Sequence, residues 1–201
     1  MELTTVVENL KKRGYDALYC PDAATAKECA LERIGDATVG IGGSATVRDL
    51  GLYNALLERG NIVHWHWPVE KAEKDAARRE AIRAEVYLCS ANALLFDGRI
   101  LNIDGTGNRV AATTFGPKRV VMIIGRNKLV ETVDEGIART RRECCPQNAR
   151  RQGLKTPCAA TGVCADCASP DRMCNIFSIF ERMPKGFDSF TVLLVDESLG
   201  L

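Results

Sequence analysis

The sequence predicts an α/β domain built on a mostly parallel sheet. Two observations carry that prediction. Short β-rich runs alternate with longer helical patterns along the chain, and two of these runs, residues 120–124 and 191–195, are apolar without polar alternation. A half-exposed strand alternates apolar and polar positions, whereas a strand covered on both faces does not. Strand–helix alternation covers both faces, because the crossover helices lie there.

Candidate strands span residues 15–20, 37–41, 61–65, 85–89, 99–103, 119–124 and 190–195. Helices are expected between them. Asp22 can cap one that runs to about residue 34, and residues 47–57 form an amphipathic pattern that Ser44 can cap. Residues 69–84 place Glu70 four positions before Lys74 and Asp75 four before Arg79, as on a solvated helix face. Thr132 and Glu135 have capping-box spacing, with Arg139, Arg141 and Arg142 near the other end of that helix, where its dipole favours cations. Cys144-Cys145-Pro146 is expected to end it. Residues 153–188 hold Pro157, Pro170, Pro184, Gly162 and four cysteines with little periodicity, so they are expected as a long cysteine-rich loop.

A chain of 201 residues suits one domain, residues 1–201, and 46% hydrophobic with 26% charged residues excludes disorder and coiled coil. The formal net charge of +1 supplies no bulk field to draw nucleic acid or an anionic membrane, so neither is expected as a partner. The arginines at 139, 141, 142, 150 and 151 lack interleaved aromatics and read as a solvated face. No apolar run approaches the roughly 20 residues of a membrane span. The first residues lack the basic and apolar pattern of a secretory signal, so a cytoplasmic location is expected.

Three segments can bind ligand. Gly42-Gly43-Ser44 follows a strand and opens a helix, which suits a phosphate or carboxylate or else a plain tight turn. Asn92, and the run Asp104-Gly105-Thr106-Gly107-Asn108-Arg109, lie just past strand ends, where ligands of open α/β sheets gather. Arg109 offers a bidentate partner for an anion; ordinary turn chemistry is the alternative reading of both loops. Four thiols, Cys158, Cys164, Cys167 and Cys174, have the spacing C-x5-C-x2-C-x6-C, which can close around tetrahedral zinc or an iron–sulfur cluster. Cys20, Cys29 and Cys89 read as buried hydrophobes, and Cys144 and Cys145 as structural. His64 and His66 can share one strand face; a polar face opposite Trp65 and Trp67 is favoured over a metal or acid–base site.

Taken together, Gly42-Gly43-Ser44, Ser90-Ala91-Asn92-Ala93, Asn102 to Ala111 and Gly125-Arg126-Asn127-Lys128 resemble the lactate-utilisation (LUD) domain family. So do Pro146-Gln147-Asn148-Ala149, Thr156-Pro157-Cys158 and Ser169-Pro170-Asp171-Arg172. The resemblance implies a Rossmann-like three-layer fold akin to glucosamine-6-phosphate deaminase, ribose-5-phosphate isomerase and the coenzyme A transferases. It also implies an accessory or electron-transfer role in L-lactate or related organic acid utilisation, and turns the cofactor expectation toward [4Fe–4S], with zinc as the alternative. Expected partners are a small anionic organic molecule and iron–sulfur proteins, and self-association is allowed. Leu95-Phe96 stands where relatives often carry Thr-Glu, so a transferase-type nucleophilic glutamate has no counterpart. Two other readings stay open: a metabolic enzyme for a sugar phosphate or acyl compound with a structural zinc, and a non-catalytic binding module.

Overall fold

The structure, a computed structural model, describes residues 2–201. In chain order it runs α1 (Leu3–Lys12), β1 (Asp16–Cys20), α2 (Ala23–Ile34), β2 (Val39–Ile41), α3 (Ala45–Asp49), α4 (Leu52–Glu58), β3 (Val63–Trp65), α5 (Lys74–Arg83) and β4 (Val86–Cys89). There follow β5 (Ala93–Leu95), β6 (Ile100–Asp104), α6 (Asn108–Thr114), β7 (Arg119–Gly125), β8 (Leu129–Val130) and α7 (Val133–Arg139). The chain ends with α8 (Cys145–Arg151), α9 (Pro157–Thr161), β9 (Ile176–Phe180) and β10 (Ser189–Val195).

Six strands pair in the order β1-β10-β7-β4-β2-β3, all parallel. This is the Rossmann-like sheet, covered by helices on both faces, that the apolar runs call for. Along β7, Val121 and Ile123 join one buried cluster while Val120, Met122 and Ile124 join the other. Alternate side chains of one strand thus pack into two separate cores, which is why no polar position interrupts it. Each fully buried aliphatic side chain there contributes about 1.5–3 kcal/mol.

Local chemistry sets the helices. Asp22 accepts the Thr25 amide at 2.7 Å, and Ala26, Ala30 and Ile34, four residues apart, bury one face of α2. Thr132 and Glu135 form the expected capping box of α7. Two helices differ from expectation. Residues 47–57 divide into α3 and α4, because Gly51 takes a left-handed conformation (φ 64°) that ends one and starts the other. The helix begun at Thr132 does not stop at Cys144-Cys145-Pro146. It passes through a π-helical turn, Thr140–Cys144, into α8, where Pro146 sits in the first turn and needs no helical partner for its nitrogen.

A further difference is a smaller sheet, ordered β8-β5-β6-β9, inserted in the connections from β4 to β7 and from β7 to β10. The strand expected at residues 99–103 belongs here, antiparallel to β5 and β9. Part of the expected 153–188 loop is therefore regular: α9 follows the Thr156 cap, and residues 176–180 (Ile-Phe-Ser-Ile-Phe) pair with β6. Leu94, Ile100 and Phe180 carry the smaller sheet into the same core as Tyr87, Met122 and Phe190. Among the described residues no helix is long and apolar enough to cross a membrane.

Candidate functional site

From β2 the chain crosses to β3 on one side, and from β4 it leaves toward β7 on the other. Neighbouring strands whose connections depart in opposite directions leave a crevice at their carboxyl ends, where open α/β sheets hold ligands. A cleft of about 150 Å³ lies there. Its walls come from Gly43 to Thr46 after β2, His66 and Trp67 after β3, Ser90 to Asn92 after β4, and Lys128 after β7. The smaller sheet adds the loop after β6, and α8 adds Asn148 and Arg151.

The structure brings Gly43, Ser44, Asn92, Asp104, Gly105, Thr106, Asn108 and Arg109 together around this cleft, although they span sixty-odd positions of sequence. Gly42 and Gly107 stand behind it. The Gly42 carbonyl accepts the Trp65 indole N–H at 3.2 Å, and Gly107 is the left-handed residue (φ 90°) that starts α6. Ser44 caps α3 by accepting the Val47 amide at 3.2 Å. At Gly43 the absent side chain leaves the space before His66 and Trp67, whose ring nitrogens lie 3.5 Å from where a Cβ would stand.

Asn92, Asp104 and Arg109 are committed to one another. Arg109 is 8% exposed and donates to Asn92 Oδ1 at 2.6 Å, to the Ser90 carbonyl at 3.1 Å and to the Ile103 carbonyl. Its Nε, 3.7 Å from Asp104, is buried and has no hydrogen-bond partner. The other Asp104 oxygen accepts the Val110 amide at 3.0 Å and so caps α6. Arg109 therefore shapes the cleft with its terminal nitrogens and turns only Nε toward other company.

Other cations line the cleft: Lys128, Arg78 and Arg151. Arg151 lies over the Trp67 ring at 4.2 Å, with Arg48 at 5.8 Å, and its guanidinium is weakened by burial and then by Arg48. Arg78 Nε and His66 Nδ1 are buried without partners. Burial first, then the charges of Arg78, Lys74 and Arg151, lower the His66 pKa to about 4, so this imidazole is neutral at pH 7. Lys128 is 2% exposed and donates to Ser90 Oγ at 2.8 Å and Thr46 Oγ1 at 3.0 Å. Burial is the main cause of its pKa falling to about 7.

Sequence reasoning missed these groups. His66, expected on a polar strand face, lies past the end of β3 in the cleft wall. Lys128 follows the most apolar strand, a position that by itself marks the carboxyl edge. Arg78 leaves no sequence signal, and Arg139 and Arg151, expected on a solvated face, instead hold the Asn92 carbonyl and stack on Trp67, since only the fold gathers α5, α7 and α8.

The cysteines are all free thiols, with the loop four half-buried. Cys158 Sγ lies 3.3 Å from Thr156 Oγ1, and Arg172 ties the carbonyls of Cys167 (2.6 Å) and Cys174 (3.3 Å). Cys145 is buried by α8; burial, then Cys174, Cys144, Cys158 and Cys164, push its thiol pKa up. Among the described residues, however, no three His, Cys, Asp or Glu side chains converge on a point that could hold a metal ion. The donor chemistry suits a cluster; the geometry does not close around one, and no step is derived through it.

A three-layer α/β protein with a cation-lined crevice at its topological switch point is the class this geometry defines. Comparison with known proteins places it more narrowly. Residues 3–195 match the LUD domain, and the chain belongs to the LUD domain family. Among solved structures it is similar to a crystal structure, at 1.70 Å resolution, of a DUF162 family protein from Deinococcus radiodurans. The two share 16% sequence identity with a TM-score of 0.56 over 96% of this chain and 95% of that one, a likeness of fold. No curated protein matches.

Proposed function

We propose that this LUD domain binds a small organic anion in the cleft between β2 and β4, as an accessory component of the use of L-lactate or a related organic acid. One observation carries the reading. The guanidinium-bearing Arg78, Arg109 and Arg151 line the cleft, beside Lys128, against the single acidic side chain Asp104. Guanidinium groups hold carboxylates and phosphates through charge-assisted hydrogen bonds, the strongest of the polar contacts. The test is a thermal-shift panel of lactate, pyruvate, sugar phosphates and coenzyme A esters. Small carboxylates are expected to raise the melting temperature. A response confined to sugar phosphates or acyl esters favours a metabolic enzyme instead, and no response favours a non-catalytic module.

The spacing of Cys158, Cys164, Cys167 and Cys174 within one short stretch supports a second, compatible reading. Should the loop close on a metal, Cys158, Cys164, Cys167 and Cys174 would be its ligands, for a [4Fe–4S] cluster or for zinc. Iron and labile sulfide in anaerobically purified protein, lost in Cys164→Ser, is the expected result. Zinc in their place would make the site structural, and equal metal content in the variant would remove Cys164 from it.

A further inference from the structure

We propose that Lys128 is a carbonyl-trapping amine: its Nζ, held in the cleft wall between the Ser90 and Thr46 hydroxyls, condenses with the keto group of a 2-oxo acid. This rests on the cleft being an anion site and adds to it a ligand class and a covalent step. A 2-oxo acid carries a carboxylate for guanidinium groups and, one carbon away, an electrophile for an amine.

The geometry favours a nucleophile over a counter-ion. Nζ has two hydroxyl partners, at 2.8 and 3.0 Å, in a side chain 2% exposed. An ammonium buried without an anion costs several kcal/mol and gives up its proton instead. The groups that act on Lys128 are the Cys144 and Cys89 thiols and the guanidiniums of Arg139 and Arg109, while Asp104, the acidic side chain of the same cleft, faces Arg109 and the Val110 amide. The guanidiniums disfavour a further positive charge. Cys144 is tied to Arg139 Nη1 at 3.1 Å, and burial raises the Cys89 pKa to about 12, which keeps it a neutral thiol. The resulting pKa of about 7 leaves a large share of Lys128 as free amine at neutral pH, the form that attacks carbonyls.

The step balances within the site. The Nζ lone pair forms the bond to the keto carbon, and the carbonyl π pair moves to oxygen. Nζ then loses its two protons while that oxygen takes up two and leaves as water, and the carbon–nitrogen double bond remains. Ser90 and Thr46, within hydrogen-bond reach of Nζ, are placed to relay those protons.

Borohydride trapping tests this. The full chain is incubated with pyruvate or glyoxylate, reduced with borohydride, and examined by intact mass and peptide mapping, with lactate as the control lacking a keto group. The expected result is one adduct, of the oxo acid less one oxygen atom, on the peptide bearing Lys128. Yield should fall as pH drops below 7, and no adduct should form with lactate. Folded Lys128→Met should lose the adduct; if that variant does not fold, the map of the unaltered chain still decides. Calorimetry on the same samples separates the two claims. Pyruvate binding with no adduct at Lys128 overturns the imine and leaves the anion site standing. Absence of binding by both pyruvate and lactate, with no adduct, overturns both.

Discussion

Arg109 Nη2 lies 2.6 Å from Asn92 Oδ1, and the same oxygen accepts the Ile103 amide at 3.0 Å. One amide side chain thus fastens the loop after β4 to both the end of β6 and the start of α6. Arg139 completes the fastening from α7 by donating to the Asn92 carbonyl at 2.7 Å. The larger sheet, the smaller sheet and α7 meet at this one residue, and the cleft wall depends on it.

Arg109→Ala should therefore act on stability before it acts on binding. It removes the Arg109 donor from the Ser90 and Ile103 carbonyls and one of the two donors on Asn92 Oδ1, at about 2–4 kcal/mol in all. Denaturant unfolding should show a lower midpoint with an unchanged slope. A midpoint equal to that of the unaltered chain would mean the guanidinium is not holding the wall.

Arg151→Ala should do the reverse. Arg151 keeps part of its surface in solvent and stacks on Trp67, so its loss should change stability by less than about 1 kcal/mol. Anion affinity should weaken on the order of tenfold, as removal of one charge-assisted bond implies. Titration of the variant with the best carboxylate of the thermal-shift panel checks this; unchanged affinity takes Arg151 out of the site.

His66 should make the protein acid-sensitive. Its pKa is about 4 when folded against 6.5 as the ordinary value, so the unfolded chain binds the extra proton between those limits. Stability contributed by the neutral imidazole is complete above pH 6.5 and is lost as pH falls toward 4, by up to about 3 kcal/mol. Between pH 6.5 and 5, where most carboxylates are still ionised, His66→Gln should flatten the decline in unfolding free energy. Equal slopes in both proteins would contradict this.

Gly40→Ala should be severe although it adds one methyl group. A Cβ at Gly40 would stand 1.9 Å from the Ala81 carbonyl oxygen, so α5 must move off β2. Overpacking of this kind costs about 3 kcal/mol. A melting temperature within a degree or two of the unaltered protein would show that α5 is not seated as closely as described.

Much of the larger sheet was legible in sequence because its signal is local. Residues 119–124 and 190–195 are too apolar for anything but a strand covered on both sides, and Asp22 and Thr132 announce their helices by side-chain chemistry. The smaller sheet was not legible. β5 and β8 are three and two residues long, below any periodicity, and residues 176–180 followed a cysteine-rich stretch that masked them. Half of the cleft could be anticipated from polar loops that follow strands. The other half, His66, Arg78, Lys128 and Arg151, lies on elements far apart in sequence, and single charged residues on such elements look like solvated surface until the fold buries them.

The most direct test of the anion cleft is calorimetric titration of pyruvate and lactate into the unaltered protein and into Arg78→Ala, whose side chain lines the cleft. Saturable binding to the unaltered chain, weakened about tenfold in the variant at equal fold and stability, is the result expected from loss of one charge-assisted contact to the carboxylate. Equal affinities in the two proteins, or no heat in either, would contradict it.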